Sequence, residues 1–466
     1  MVFSSSIFLF GFLPIVLAVY YLLNDKWKNA WLLITSIFFY FWGEGVNVLI
    51  IIASILINYF MGLLVDYFDG KALKRCMMIL AVVANLGLLI YYKYTNFFVD
   101  SFNSITGANI FVEQIALPIG ISFFTFQGLS YVIDLYWGNV QVQKNPLKIA
   151  LYVSLFPQLI AGPIVRYKDV AEQIDKRTET VDKFAEGIFR FVTGLAKKII
   201  LANGVGVIAD EIFNAPYHEH MVLTTWLGIL CYTLQIYFDF SGYSDMAIGL
   251  GKMFGFDFLE NFNLPYISTS ITEFWNRWHI SLSSFFKDYV YIPLGGNRKG
   301  NVYLNLCIVF FLTGMWHGAA WNFIIWGLWN GFFRILERIN IKHQLIKFKV
   351  PIAIKYVFTM LIVMIGWVLF RSEDLTYAIG FVARLFGINE TSMVYYQTGY
   401  YLNPYRIFVI VLAIIASIGG FGKLNELLMR LKSYLVIRNI LTIALMLVCV
   451  MYVMIATYNP FIYFRF

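Results

Sequence analysis

Charged side chains are scarce in this sequence of 466 residues. Asp, Glu, Lys and Arg make up 13% of the positions and apolar residues make up 60%, whereas a soluble globular chain carries roughly 25% charged residues. Apolar runs long enough to cross roughly 30 Å of hydrocarbon recur along the whole length. They include residues 5–23, 46–64, 77–92, 352–370, 408–421 and 441–458. The deficit of charge excludes a soluble globular protein and predicts an all-α, polytopic integral membrane protein.

Cysteine and the usual catalytic motifs are also scarce. Cys76, Cys231, Cys307 and Cys449 are scattered singly, without the spacing of a metal site or a disulfide framework. The sequence has no Walker motif, no GxSxG and no metal-ligand cluster, so we expect no metal and no bound cofactor. The formal charge of +8 lies mostly in short loops between apolar runs. Membrane orientation explains that charge, and nucleic acid is not an expected partner.

The loop charges also predict an orientation in the membrane. Basic residues dominate the loops at 24–28 and 71–75 and recur in segments 166–183, 334–349 and 423–438, whereas segment 372–405 is mainly acidic. Because basic loops favour the cytoplasm, Met1 and the exit of the last span are expected outside. We therefore expect a multi-pass protein of the plasma (inner) membrane, with about eleven crossings and both termini extracytoplasmic.

The segment around His317 is too short to cross the membrane twice. Basic residues flank segment 301–333 on both sides, and its arms of about 16 residues each climb only about 24 Å. Its apex at 313–318, with two glycines for turning and close packing, is therefore predicted to lie deep in the membrane. An ionisable histidine at that depth is a functional candidate and a possible general base. The alternative is a neutral structural histidine bonded to a carbonyl group.

A basic aromatic segment, residues 274–298, precedes this hairpin. It reads FWNRWHISLSSFFKDYVYIPLGGNR and suits a helix at the cytoplasmic interface. Its basic residues equally suit the phosphates of a nucleotide-bearing donor. The candidates for donor binding are Arg277, Lys287 and Arg298 within the segment and Lys299 directly after it.

Isolated polar residues occur in other apolar stretches. Gln158, Arg166, Asp239 and Asp245 need partners if they are buried, because unsatisfied polar groups are costly in a membrane. We interpret them as a structural polar network rather than as groups that take part directly in the chemistry.

The chain ends in the aromatic tail Asn-Pro-Phe-Ile-Tyr-Phe-Arg-Phe, residues 459–466. Aromatic residues favour the headgroup level, so an interfacial anchor is one interpretation of this tail. Tyr463 carries the only hydroxyl group of the tail. The alternative hypothesis is that this hydroxyl accepts an acyl group.

At these positions the sequence resembles the membrane-bound O-acyltransferase family, in the branch of alginate O-acetyltransferases, peptidoglycan O-acetyltransferases and teichoic acid D-alanyl transfer proteins. The resemblance covers most of the chain. It runs through Phe3-Ser4-Ser5, residues 118–123, Phe156-Pro157-Gln158, residues 239–245, residues 274–279 and Trp316-His317-Gly318.

The resemblance implies a fold and a site. A ring of about eleven transmembrane helices, with re-entrant and interfacial helices, would surround a cytoplasmic funnel and an outer tunnel in one membrane-embedded domain over residues 1–466. His317 maps onto the family's invariant-type histidine, and His279 maps onto its more variable second histidine. The implied chemistry passes acetyl from cytoplasmic acetyl-CoA across the lipid bilayer. The final acceptor would be an extracytoplasmic polysaccharide, usually reached through a separate acetyltransferase partner.

Three functions remain open at this point. Acetylation of an alginate-type exopolysaccharide is the leading hypothesis, and peptidoglycan O-acetylation uses the same chemistry. The teichoic acid member uses a separate peptide with an aromatic-tyrosine end, whereas here the tail is fused to the chain, which favours polysaccharide acetylation with an acyl-Tyr463 relay. A passive polysaccharide exporter, from a different class, would need no histidine at a hairpin apex.

Overall fold

The computed structural model describes residues 1–345, 348–388, 396–455 and 461–462, and these residues form helices and no strand. The all-α fold class is therefore confirmed. The α-helices of these residues are α1 (Leu13–Leu22), α2 (Asp25–Glu44), α3 (Val48–Tyr67), α4 (Lys71–Thr106), α5 (Ile121–Trp137), α6 (Pro146–Ser154), α7 (Phe156–Leu159), α8 (Tyr167–Asp175), α9 (Val181–Ala196), α10 (Asn203–Phe213), α11 (Val222–Met253), α12 (Ile271–Arg277), α13 (Ile280–Phe286), α14 (Val302–His317), α15 (Trp321–His343), α16 (Ile352–Arg371), α17 (Leu375–Leu385), α18 (Pro404–Ser417), α19 (Gly420–Leu428) and α20 (Tyr434–Ile455).

Shorter helical pieces join several of these helices. Three are π-helical, Ile7–Phe12, Lys197–Ala202 and Lys287–Tyr291, and four are 3₁₀ turns, Gly45–Asn47, Tyr217–Glu219, Pro265–Ile267 and Thr398–Tyr401. Single π turns inside α-helical stretches often mark functional sites. Two of the three carry lysines that matter below, Lys198 and Lys287.

The number of long apolar helices is smaller than the eleven crossings expected. Within the described parts of the chain, five helices are long and apolar enough to span a membrane, or six if α18 and α19 are taken as one bent span. The apolar run at 408–421 is broken by a bend of 69° between those two helices. Gly419 lies at this bend with a φ of 84°, a conformation that L side chains rarely adopt. Three further apolar helices, Ile7–Leu22, Val302–His317 and Leu375–Leu385, are shorter than a span.

The chain divides into two compact units. Met1–Phe191 with Ser244–Leu259 forms the first, and Val192–Tyr243 with Glu260–Phe466 forms the second. The expectation of one membrane-embedded domain over residues 1–466 stays a prediction.

Two buried amide side chains of the first unit satisfy each other. Asn58 on α3 and Asn85 on α4 are both buried and exchange two amide hydrogen bonds of 3.0 Å. Paired amides of this kind link helices where no water is available. An aromatic cluster that includes Phe3, Phe8 and Phe156 fills the space beside α2.

The second unit contains the predicted hairpin. Helix α14 ends at His317, and α15 begins at Trp321 after a link of three residues. A Cβ atom on Gly314 would lie 2.5 Å from the Phe323 carbonyl oxygen, and one on Gly327 would lie 2.9 Å from the Gly314 Cα. The two helix backbones therefore touch where glycine leaves room. The second arm continues ten residues beyond residue 333, because the basic stretch that suggested a loop consists largely of good helix formers.

Replacing Gly327 with alanine should destabilise the hairpin. The added methyl group must push α14 and α15 apart, and overpacking of this kind typically costs about 1–3 kcal/mol. Thermal unfolding of the detergent-solubilised protein measures the loss. Gly87→Ala on α4 is the matched control, because a Cβ there meets no atom within 4 Å. Equal melting temperatures for the two variants would contradict the close packing.

Candidate functional site

His317 is the last residue of α14 and is buried among aromatic rings. Its ring centroid lies 4.8 Å from that of Trp326, 4.9 Å from Trp316 and 5.3 Å from Phe370. The imidazole thus lies at the hairpin apex, as the sequence predicts. Aromatic walls of this kind hold a ring in place and keep bulk water from it.

His279 lies at the junction between α12 and α13 and is fully buried. Its φ of 44° is uncommon for a residue with a side chain, and such backbone strain is concentrated at functional sites. The Nδ1 atom lies 3.1 Å from the Asn261 Oδ1. Because an amide oxygen can only accept, Nδ1 carries the proton and Nε2 keeps its lone pair.

Asn261 is a site residue that the sequence did not reveal. Its Oδ1 also accepts hydrogen bonds from the Ser281 backbone N–H at 3.2 Å and the Ser281 hydroxyl at 2.9 Å. Burial lowers the pKa of His279 to about 3, so the imidazole is neutral. The Nε2 atom has no hydrogen-bond partner among the residues that the structure describes, and it is free to accept one from a substrate.

The structure brings the two predicted histidines together. The ring centroids of His279 and His317 are 6.5 Å apart, and the Trp316 ring lies 5.7 Å from that of His279. Both histidines belong to the second unit. Two imidazoles at this separation can act on the two ends of one small reacting group.

A first cavity, of about 310 Å³, reaches to within one turn of His317. Thr313, four residues before His317 on α14, is part of its wall. Lys287, in the π turn after α13, lines it together with Arg334 and Arg338 of α15. Three basic side chains around one cavity suit a phosphate-bearing ligand.

Only one of the four predicted donor-binding residues lines this cavity. Arg277 forms an ion pair of 3.0 Å with Glu273, and Arg298 and Lys299 are exposed before α14. The sequence analysis missed Arg334 and Arg338 as residues that line this cavity, because that stretch was interpreted as a loop. Their spacing of four residues would have put them on one helix face.

A second cavity, of about 220 Å³, begins just after His317. Ala320 and Phe370 line it, and Phe370 contacts the His317 ring. Gln235 and Asn322 add buried amides to its wall, and their side-chain oxygens have no hydrogen-bond partner within the described residues. The first cavity thus approaches His317 from the preceding turn of α14, and the second approaches it from the link that follows the helix. The first is basic, whereas the second combines the two buried amides with the charged residues Asp210, Arg371 and Glu373.

The residues predicted as a polar network lie in separate places. Three of them, Gln158, Arg166 and Asp245, belong to the first unit. Gln158 donates a hydrogen bond of 2.6 Å to the Tyr152 carbonyl oxygen, and Arg166 forms an ion pair of 3.0 Å with Asp169. Asp245 forms an ion pair of 2.7 Å with Arg190. Asp239 belongs to the second unit, where it pairs with Lys198. Each has its own partner.

Tyr463 lies outside the described residues. Its neighbour Ile462 is described and lines the second cavity. Within the described residues, no group of three or more His, Cys, Asp or Glu side chains could hold a metal ion.

Comparison with known proteins identifies the family. The model of the membrane-bound O-acyltransferase family matches residues 139–373. A probable alginate O-acetylase of Pseudomonas putida is 47% identical over 397 residues, which are 83% of this chain and 80% of the relative. The chain belongs to the membrane-bound O-acyltransferase family. It is therefore a multi-pass membrane enzyme that transfers acyl groups to oxygen.

Other members of the membrane-bound O-acyltransferase family are similar to a lesser degree. A peptidoglycan O-acetyltransferase of Helicobacter pylori is 38% identical over 84% of this chain and 81% of its own length. A teichoic acid D-alanyltransferase of Bacillus subtilis is 31% identical over 48% of this chain and 61% of its own length. The resemblance inferred from the sequence motifs is thus confirmed.

Proposed function

We propose that this O-acyltransferase passes an acetyl group from cytoplasmic acetyl-CoA to an extracytoplasmic polysaccharide of the alginate type. The observation that carries the proposal is the pair of cavities that approach His317, one from the preceding turn of α14 and one from the link after it. The basic cavity suits the phosphates of CoA, and the second cavity, whose wall combines buried amides with charged side chains, suits a polar acceptor that carries a hydroxyl group.

Similarity favours alginate over peptidoglycan. The probable alginate O-acetylases of Pseudomonas putida and Pseudomonas aeruginosa are 47% and 48% identical to this chain over more than four-fifths of its length. The peptidoglycan O-acetyltransferase is 38% identical over a similar share. Both polymers present hydroxyl groups to the same chemistry, so peptidoglycan is the second candidate.

In the proposed reaction, Tyr463 carries the acetyl group as a phenolic ester. His317 takes the phenol proton, and the phenol oxygen attacks the thioester carbonyl. The C–O ester bond forms, the C–S bond breaks, and the CoA thiolate takes the proton back from His317. A polysaccharide hydroxyl then displaces the phenol oxygen, which recovers a proton, and the sugar acetate is released.

The two histidines have different proposed roles. His317 is the base for the acceptor hydroxyl. His279, held by Asn261 with its Nε2 lone pair available, binds and orients a hydroxyl or water proton near the thioester.

The final transfer is proposed to involve a partner. An extracytoplasmic acetyltransferase would bind the polysaccharide and catalyse the attack of its hydroxyl group on the ester of Tyr463. This arrangement needs the C-terminal tail at the outer face, in agreement with the orientation that the loop charges predict.

Reversing the charge of Lys287 should raise the KM for acetyl-CoA about tenfold with little change in kcat, because a charge-assisted hydrogen bond is worth about 1.5–3 kcal/mol. High salt should weaken donor binding in the wild type in the same way. Arg430→Glu is the matched control, since Arg430 is an exposed basic residue of the segment at 423–438. An unchanged KM for Lys287→Glu would leave Lys287 as a membrane-surface anchor.

The identity of the polymer is tested in cells. Cells that express the chain or its His317→Ala variant are compared for hydroxylamine-labile acetate in their exopolysaccharide and in their muropeptides. The proposal expects a difference in the exopolysaccharide alone. A difference confined to the muropeptides would establish peptidoglycan as the acceptor.

A further inference from the structure

A buried ion pair lies beside the described end of the tail. Lys198, in the π turn Lys197–Ala202, pairs with Asp239 on α11, and each side chain is only 2% exposed. Two charges removed from water are costly unless further hydrogen bonds satisfy them. The remaining contacts of this pair therefore indicate what it does.

Those contacts lead to the tail. The second carboxylate oxygen of Asp239 accepts the Ile462 backbone N–H at 2.8 Å. The Lys198 Nζ atom lies 5.8 Å from the centroid of the Phe461 ring, within the range of a cation–π interaction. Phe461 is buried, and its ring centroid lies 4.8 Å from that of Tyr243, one turn after Asp239 on α11.

A glycine on α11 allows the helix that carries Lys198 to pack closely against the helix that carries Asp239. A Cβ atom on Gly242 would lie 2.7 Å from the Gly194 carbonyl oxygen and 3.0 Å from the Lys198 backbone nitrogen. Glycine at position 242 thus allows the π turn to lie directly against α11. The pair is part of a close helix contact, and the Asp239 oxygen that does not pair with Lys198 accepts the hydrogen bond from the tail.

We propose that Lys198, Asp239 and Tyr243 form a latch that positions the C-terminal tail for acyl transfer. The latch fixes Phe461 and Ile462, and Ile462 lines the cavity that begins after His317. This inference rests on the proposed relay through Tyr463, the next residue along the chain. Lys198 and Asp239 are assigned the role of positioning residues, since neither lines the two cavities that approach His317.

Positioning has a measurable consequence for such a relay. An acceptor held near the thioester reacts at a high effective concentration, and a misplacement of about 1 Å can cost about 10²-fold in rate. Loss of the latch should therefore reduce transfer to Tyr463 and leave acetyl-CoA binding intact.

Two neutral double variants isolate the latch contact. Lys198→Met/Asp239→Asn removes both charges but keeps an oxygen that accepts the Ile462 N–H, and Lys198→Met/Asp239→Leu removes that oxygen as well. Neither leaves one unpaired buried charge, which single variants would do. Asp245→Asn is the control for loss of an ion pair on α11, because Asp245 pairs with Arg190.

Two readouts are needed for each variant. Hydrogen exchange with mass spectrometry measures the protection of the Ile462 amide. The rate of single-turnover acetylation of Tyr463 from labelled acetyl-CoA measures the chemical step. The KM for acetyl-CoA shows whether donor binding has changed. In the leucine double variant, the Ile462 amide should exchange faster, and acetylation of Tyr463 should be at least about tenfold slower at an unchanged KM. In the asparagine double variant, most of the amide protection and most of the acetylation rate should return.

The outcomes separate the latch from the relay. Exchange at Ile462 that is the same in the wild type and both double variants overturns the latch. Faster exchange with unchanged acetylation of Tyr463 in the leucine variant overturns the positioning role. If Tyr463→Phe is itself fully active, the relay has failed, and faster exchange in the leucine variant still supports the latch as the contact that holds the tail.

Discussion

Replacement of His317 by alanine is expected to lower the rate of acetyl transfer by about 10²- to 10⁴-fold, the usual worth of a general base. The imidazole lies at the end of α14 between the approaches of the two cavities, and truncation removes the group that takes the acceptor proton. The rate is measured as labelled acetyl transferred from acetyl-CoA by the purified variant. Thermal unfolding and gel filtration establish that the variant inserts and folds.

His279→Ala serves as the comparison for this prediction. We expect a smaller loss, because His279 orients a group and His317 moves its proton. Activity of His317→Ala above about a tenth of the wild type would contradict its role as the base. If His279→Ala lost more activity than His317→Ala, the two roles would have to be exchanged. The Nδ1 bond to Asn261, which leaves Nε2 as a base, would then explain that result.

Replacement of Tyr463 by phenylalanine is expected to abolish acetyl transfer while membrane insertion stays normal. Phenylalanine keeps the aromatic ring and removes only the hydroxyl, so an interfacial anchor would survive the change and an acyl carrier would not. A phenol with a pKa of about 10 is a poor nucleophile until a base takes its proton, but its ester is then a good acyl donor.

The ester itself can be observed. After exposure to acetyl-CoA, mass spectrometry of the C-terminal peptide should show one added acetyl group that hydroxylamine removes. Tyr452→Phe is the matched control, because it removes a phenol hydroxyl near the end of α20. That hydroxyl lies 3.1 Å from the Tyr405 hydroxyl, within hydrogen-bond distance. Full activity of Tyr463→Phe would discard the relay even if His317 proved essential.

The sequence predicted the structure best where the length of a single helical hairpin determines the position of a residue. The short arms around His317 predicted a hairpin, and α14 ends at that histidine. The same reasoning failed at residues 334–343, where charge suggested a loop but helix propensity continues α15. Hydropathy also does not register bends, such as the bend of 69° within the apolar run at 408–421.

Contacts between distant segments could not be predicted in this way. The sequence indicated that Asp239 needs a partner, but nothing local identifies Lys198, 41 residues away, as that partner. Nothing in the sequence near Asn261 likewise indicates that its side chain contacts His279. Such pairings depend on tertiary packing, which a single sequence records only in the requirement that buried polar groups be satisfied.

The most direct test uses the purified protein in sealed vesicles with labelled acetyl-CoA supplied to the face that carries the basic cavity. The vesicles are then analysed for label on the C-terminal peptide of the chain and for CoA on each side of the membrane. Our account predicts labelled Tyr463 in the wild type, free CoA retained on the donor side, and no label in Tyr463→Phe or His317→Ala. Label that never appears on the chain, or that appears equally in both variants, would contradict transfer across the membrane through this site.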